Sequence, residues 1–595
     1  MVPLTLRPHG VSCPWCQNGS LAWRPGRAVL TACLLWLLAS IGLAQESVAP
    51  ADTSLTVGAI ELDMEQIFTK EEMAQAKGFT YTLQKVMNGL HIKSRPWLVR
   101  QELLFKEGES FRYDLLEESE RNLRRLGILN NIRVAPTDTT DTGEVNVRVT
   151  THETWTLGLG ISFALTSAGE ARWSASLTEK NFLGTGLLVR GAVGDDLNAR
   201  YGRIYLKQNR LFRTPIQAEL NLDDRTDGHD RWFALSVPFR ADDQTWKVRI
   251  VGWNRLYNVR YYLSNAGPAG EDPGRNQSLY ASIPRAYKSA EVSLARRVSP
   301  KGHGRVWRLG LTMVLRDISF NLGNGLFYLS DGRVADLSYL QEPGTPMSRD
   351  TGLRVWPHLY VGTHGRDWIQ TRFLRQYNNR EDVALNWAAE LRTGPSGTNV
   401  GSEAAHGDRW TTELSASNWD RLGRHFWLQS VSLVHDFGND LDEYHMVDLL
   451  TGLYLRFGEP ERPYTWKSFL EFVHGDRLRG DLAATLGLDR GLRTLDVDGM
   501  AGDRLLRWSS EVGHVLPWIP LGVVQTGWGV YYAGGLSKWD TETTALGTDT
   551  RHEIGVGLRF GGTRSGNSDL ARVDLTYDLT GTEGFVITTV SRGYF

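Results

Sequence analysis

The sequence predicts a transmembrane antiparallel β-barrel of about 16 strands preceded by a small α+β domain. Three observations predict it. Beyond His152, apolar side chains recur at every second position in segment after segment. No run of 18 apolar residues follows Ala44. Glycine and tryptophan are plentiful, 62 and 21 of 595 residues, beside only 8 methionines and a negative mean hydropathy. Barrel strands cross a bilayer in roughly 9–11 residues with only alternate side chains on lipid, so they need no continuous apolar stretch.

Residues 1–44 read as an export signal. RPGRAVLTACLLWLLASIGLA sets Arg24 and Arg27 before an apolar run from Ala28 to Leu43 that ends in small residues near Ala44. That run is short for a spanning helix. Cys13, Cys16 and Cys33 all fall within residues 1–44, and CPWC lacks the second pair a zinc site needs. The remaining chain has no cysteine, which is compatible with an oxidising periplasm. A formal net charge of −2 gives no bulk attraction for nucleic acid or anionic membrane.

Residues 45–79 read as a linker with one short helix, and residues 80–153 as the small α+β domain. In SRPWLVRQELLFKEG, Ser94 can cap a helix carrying Pro96 in its first turn, with Trp97, Val99, Leu103 and Leu104 on its apolar face. In RYDLLEESERNLRRLGIL, Leu115, Leu116, Leu123 and Leu126 form a helical stripe that Gly127 stops. NNIRVAP and GEVNVRVT read as strands separated by the turn-rich TDTTDTG. An opening strand is expected within FTYTLQKVMNGLHI.

Residues 154–595 read as the barrel. TWTLGLGISF puts Trp155, Leu157, Leu159, Ile161 and Phe163 on one face and Thr156, Gly158, Gly160 and Ser162 on the other. FALSVPF and EIGVGLRF repeat the pattern, and in RVDLTYDL the residues Val573, Leu575, Tyr577 and Leu579 oppose Arg572, Asp574, Thr576 and Asp578. A soluble sandwich also alternates. Polar and charged residues on the second face, Trp and Tyr near strand ends, and recurrence without an intervening helical stripe favour a membrane barrel. At about 25–30 residues per strand and loop, this tract holds about 16 strands.

A closed barrel leaves no free edge, so its last strand pairs with its first. Tyr594 and Phe595 are expected to end that strand at a membrane interface. Thr588, Thr589, Ser591 and Gly593 offer little packing, and the partner strand carries two glycines. The seam between 154–163 and 585–595 is therefore expected to open first.

A small α+β module followed by a barrel ending in Phe resembles the outer-membrane assembly and secretion family of BamA, TamA and FhaC. RNLRRLGILNNIRV is similar to the second helix and following strand of a POTRA domain, and LTEKNFLGTGLLV to the turn after the barrel's early strands. In that family the sixth extracellular loop folds into the lumen with a Gly-Leu-Arg-Gly-Tyr type motif, then Gly-Asp, then a strand beginning near a Glu. Gly491, Leu492 and Arg493 match the first part, Gly502 and Asp503 the second, and Glu511 the third; Arg490-Gly491 offers another register with poorer spacing. Thr494 and Leu495 depart from the motif, and Ala533 to Gly535 stand where the family often has an Asp. The resemblance thus implies an inward loop whose arginine lacks its usual acidic partner. An arginine in a lumen can still pin a loop to carboxylates or carbonyls of the wall.

DDRTDGHD and LDVDG fail as EF-hand loops, with Ala234 and Leu505 where a bidentate Glu is needed. No GxSxG, HExxH or GxxxxGK[ST] occurs. The resemblance implies a Gram-negative outer-membrane protein with its POTRA-like module in the periplasm. It implies a role in inserting or translocating client polypeptides, without enzymatic activity, metal or nucleotide. Expected partners are an extended client on the module's strand edge, outer-membrane lipid and periplasmic or lipoprotein subunits, and no nucleic acid. The competing readings are a passive or lipid-handling pore and an outer-membrane barrel hydrolase.

Overall fold

The computed structural model describes residues 55–590 apart from 166–170, 197–198, 264–270, 273–276, 302–303, 343–344, 346, 348–349, 375–376, 378–379, 404–407, 439–443, 477, 479, 496–498, 540–549, 567–569 and 581–583. The expected signal at 1–44 and the terminal Tyr594 and Phe595 lie outside the described residues.

The N-terminal module runs β1 (Thr56–Glu65), α1 (Lys70–Gln75), α2 (Gly78–Leu90), α3 (Pro96–Arg100), α4 (Tyr113–Arg125), β2 (Leu129–Thr139) and β3 (Glu144–Glu153). The three strands form one sheet in the order β1–β3–β2, with β1 parallel and β2 antiparallel to the central β3. Val145, Val147 and Val149 of β3 are buried against Leu116 and Leu123 of α4 and Leu98 and Val99 of α3. Alternation in the strand and the helical stripe in α4 thus meet in one core. Gly127, at φ +66°, ends the α4 stripe as its position suggests.

Three expectations are corrected here. The module's opening strand is β1, inside the segment read as a linker over 45–79. The register of β1 against β3 shifts between Val57 and Ile60, so its buried residues stand three apart and the alternation is hidden. FTYTLQKVMNGLHI does not hold a strand but forms most of α2, and the strand that completes the unit lies earlier, in β1. Ser94 caps no helix. It is buried at the junction with the barrel, where its amide and hydroxyl both donate to Glu153, at 2.8 and 2.9 Å.

The barrel is closed, as predicted, but by 20 antiparallel strands rather than about 16. Many turns are tight, such as Gly423–Arg424 between Arg409–Leu422 and His425–Gly438, so residues 154–595 use about 22 residues per strand and turn. The outer wall is apolar: Ile554, Val556 and Leu558 are exposed, while Glu553 and Arg559 on either side of them point inward and are buried. Val573, Leu575 and Tyr577 face out against Arg572, Asp574 and Thr576 inside. Exposed Trp246, Trp427, Trp466 and Trp518 lie near the strand ends on the module side, and Trp173 and Trp410 near the opposite ends. These are the positions of interfacial girdles.

Phe585–Val590 closes the wall against Leu157–Leu165; among the described residues Thr588 pairs with Ala164 and Thr589 with Phe163. The Thr589 hydroxyl accepts from the Phe163 amide at 2.9 Å, a side chain standing in the place of a ladder bond.

Candidate functional site

Two loops enter the lumen from opposite ends. On the side far from the module, the connection between Tyr464–Asp476 and Arg504–Val515 folds inward. Its Leu486 and Leu492 are fully buried and pack with Leu495 against Val473, Leu505, Ala533 and Leu536 of the wall. Leu488 reaches across to Ala164 of the closing seam. Gly491 turns the chain at φ +102°, where a Cβ would come within 2.7 Å of the Arg507 guanidinium.

That turn delivers Arg493, 4% exposed, to the lumenal wall. Its Nη1 lies 3.2 Å from Glu553 Oε1 and its Nε 3.2 Å from Asp574 Oδ2. The guanidinium carbon sits 3.9 Å from the centre of the Tyr531 ring. Glu553 also accepts from the Arg493 amide at 2.7 Å, the Thr494 amide at 3.0 Å and the Thr494 hydroxyl at 3.1 Å. The expectation of an arginine without acidic partners is therefore corrected. Ala533 does occupy the neighbouring strand, but two carboxylates arrive from the strands beyond it. Thr494 and Leu495, the departures from the family motif, are a Glu553 donor and a packing residue.

Glu511 does not ion-pair with Arg493 directly. It binds Arg559 at 3.1 Å and Arg572 at 2.7 Å, and Arg559 also binds Asp574. Three guanidiniums and three carboxylates thus share one dry patch of the wall, each charge facing opposite neighbours. Asp503 is buried at the start of the following strand, its carbonyl accepting from the Gly475 amide at 2.6 Å. Arg490, the alternative register, is exposed, and its carbonyl accepts from Arg507. Glu553, Asp574, Arg559, Arg572 and Tyr531 were not singled out as a site from sequence. Alternation had put Arg572 and Asp574 on the polar face, and nothing local could say which loop they would meet.

From the module side, the connection between Gly352–Gly365 and Asn386–Pro395 carries a small hairpin, Trp368–Thr371 with Glu381–Ala384. Its Leu374 and Val383 are buried against Phe426 and Tyr454 of the inner wall. Tyr377 lies against Gly561, where a Cβ would come within 2.6 Å of its own. The sequence held no signal for this second stopper.

The module is clamped to the barrel mouth. Arg112 binds Asp243 at 2.9 Å, Arg124 binds Asp382 at 2.8 Å, and Arg210 and Arg240 both reach the buried Glu102, at 2.9 and 3.2 Å. LTEKNFLGTGLLV supplies the turn that holds the segment before α3: the Arg95 amide donates to the Gly184 carbonyl at 3.0 Å. Gly184, at φ +73°, has no room for a Cβ beside the Lys93 carbonyl. Within this junction Glu118 of α4 faces Asp242. Burial, and then the Asp242 charge, push Glu118 up to about 8. Asp242 is held below the usual carboxylate range by His364, 3.0 Å away, and then by Glu118 and Arg366, against the opposing effect of its own burial. The acids of DDRTDGHD are taken up by arginines, Asp223 by Arg203, Asp227 by Arg225 and Asp230 by Arg255.

Residues 87–153 match the POTRA family, surface antigen variable number repeat. No curated protein matches the chain. Among solved structures, BamA from Haemophilus ducreyi lacking POTRA domains 1–3 aligns at 12% identity over 96% of this chain and 94% of that one, with a TM-score of 0.36. CdiB from Acinetobacter baumannii aligns at 12% identity over 96% and 99%, TM-score 0.39, and CdiB from Escherichia coli at 14% over 96% and 100%, TM-score 0.37. Such overlays are too loose to carry any residue role across. Residues 87–153 thus match a POTRA domain and a closed barrel follows it, the domain order that the resemblance to the BamA/TamA/FhaC-type family implied.

Proposed function

We propose that this protein sits in the outer membrane with its POTRA domain in the periplasm and helps client polypeptides insert into or cross that membrane. The observation that carries the reading is a POTRA domain followed by a closed barrel whose first and last strands meet in one seam. Among the described residues that seam sets Ala164 beside Thr588 and Phe163 beside Thr589, so small or polar side chains supply much of the contact. A seam poor in packing offers strand edges to an incoming chain at little cost. Below it, β2 is an outer strand of the POTRA sheet and suits pairing with an extended client. The lumenal loop reaches the same seam through Leu488, so the Arg493 cluster braces the place where opening would occur. Every group in this account positions or pairs backbone, and no bond chemistry is called on.

The test is a disulfide across the seam, Ala164→Cys with Thr588→Cys, in a mature chain that otherwise has no cysteine. Oxidised protein in liposomes should lose insertion of an unfolded outer-membrane barrel added from the POTRA side, and reduction should restore it. Equal insertion in both states would rule out passage through the seam.

A further inference from the structure

A cavity of about 460 Å³ lies where the POTRA domain meets the barrel lumen, and its lining is strongly cationic. Arg121, Arg124 and Arg125 enter from the last turns of α4, Lys180 and Lys207 from the inner wall, and Arg380 from the module-side loop. Against these six stand two carboxylates, Glu381 and Asp382. Some of the charge is already met: Arg121 is 3.8 Å from Glu118, Arg124 bonds Glu120 and Asp382, Lys207 is 3.7 Å from Glu219, Lys180 donates to the Gly566 carbonyl, and Arg125 and Arg380 donate to the neutral Asn122 and Gln370 side chains. The balance remains positive. Burial, and then the like charge of Arg121, push the Arg125 guanidinium down. Two further donors on the lining, Trp368 Nε1 and the Thr154 hydroxyl, are buried without a protein partner among the described residues. Crowded cations and unused donors around one space are the makings of an anion site.

The position of the cavity selects the anion. It faces the lumen and not the outer wall, so acyl chains of the surrounding bilayer do not reach it. It begins at Leu129 and Asn130, the first residues of β2. A second cavity of about 340 Å³ shares Arg121, Arg124, Trp368 and Asp382 with it and runs on along Val134, Ala135 and Pro136 of the same strand. Glu120 caps this edge, accepting from the Val134 amide at 2.8 Å, and a pairing strand would displace it. An extended chain lying on the β2 edge would therefore run into the cationic pocket. Guanidinium forks match carboxylates there, and the restricted space keeps each charge pair partly out of water.

We propose that this junction pocket binds acidic stretches of an extended polypeptide, so that glutamate- or aspartate-rich segments of a client are held at the barrel mouth. The assignment rests on the strand-edge reading above and adds to it a preference for acidic sequence.

The experiment uses the full chain folded in detergent and three labelled peptides: a neutral strand-forming core, the same core with four glutamates added, and the same core with four lysines. The glutamate extension should tighten binding about tenfold at low salt, as expected for two to four partly buried charge pairs. That gain should largely vanish in about 0.5 M salt. Lys207→Gln with Arg380→Gln should remove most of the gain and leave the core peptide's affinity alone, while Lys207→Arg with Arg380→Lys should keep it. Arg380 is exposed, and retained gel mobility without heating verifies the fold of each variant. If the core binds and glutamates add nothing, or if their gain survives the double variant, the pocket assignment falls and the strand-edge reading stands. Failure of every peptide to bind overturns both. Displacement of the glutamate peptide, but not the core, by micromolar inorganic pyrophosphate would make this a phosphate site and overturn the peptide assignment.

Discussion

Arg493 Nη1 stands 3.2 Å from Glu553 Oε1, although 60 residues separate them. One residue on a loop and one on a wall strand thus fix how far the loop reaches into the lumen. Arg493→Ala would leave Glu553 with fewer donors in a dry site and Asp574 with one partner fewer. Breaking a buried pair in this way costs about 3–5 kcal/mol. The loop should leave the wall, seen as faster proteolysis between residues 477 and 503 and higher single-channel conductance. Arg493→Ala combined with Glu553→Gln should lose less than the two changes summed, because each removes the other's partner.

Glu511 answers to two arginines at once. Glu511→Gln keeps the shape but leaves Arg559 and Arg572 to share Asp574. We expect the temperature at which the barrel changes gel mobility to fall, from a loss of about 3 kcal/mol or more. Glu61→Gln, which breaks an exposed pair with Arg148, should cost about 1 kcal/mol or less and serves as the control.

Glu118 predicts a pH dependence at the POTRA–barrel junction. Its folded value, near 8, lies above the ordinary value of 4.5, so the folded state holds a proton that the unfolded state releases. Stability from this group therefore declines as pH rises from about 4.5 to about 8 and stays low above that. Asp242 and Arg366 face it across the junction, and Arg121 flanks it on α4. Hydrogen exchange of α4 should quicken beyond its intrinsic rise between about pH 5 and pH 8 in the native chain. In Glu118→Gln the rise should be confined to the intrinsic chemical exchange rate.

Gly184 predicts a mechanical coupling. Gly184→Val would place a Cβ about where the Lys93 carbonyl sits and would strain a left-handed turn. The clasp on the segment before α3 should loosen while the barrel stays folded. Crosslinking of cysteines placed at Arg112 and Asp243, which bind each other in the clamped state, should drop several-fold.

The parts of this molecule legible in its sequence are those set by local repetition. The period of two in RVDLTYDL places Arg572 and Asp574 inside without any tertiary knowledge, and the stripe of α4 ends at Gly127 as its residues require. Strand number was not legible, because tight turns like Gly423–Arg424 make the repeat shorter than an average loop length suggests. β1 escaped notice for another reason: a register shift at Gly58 breaks the alternation between Val57 and Ile60. For Arg493 the motif gave the residue but not its partners. Glu553 and Asp574 are brought to it by barrel closure, which no local pattern encodes.

The two inward loops have a consequence for a cell that makes this protein in quantity. A 20-stranded cylinder left hollow would let nutrients and toxins drain through freely. Here one stopper is seated from outside by the Arg493 cluster and by Leu486 and Leu492, and another from beneath by Leu374 and the Arg124–Asp382 pair. Because the two rest on separate stretches of wall, a change that loosens one leaves the other seated, and a leak needs both to fail together.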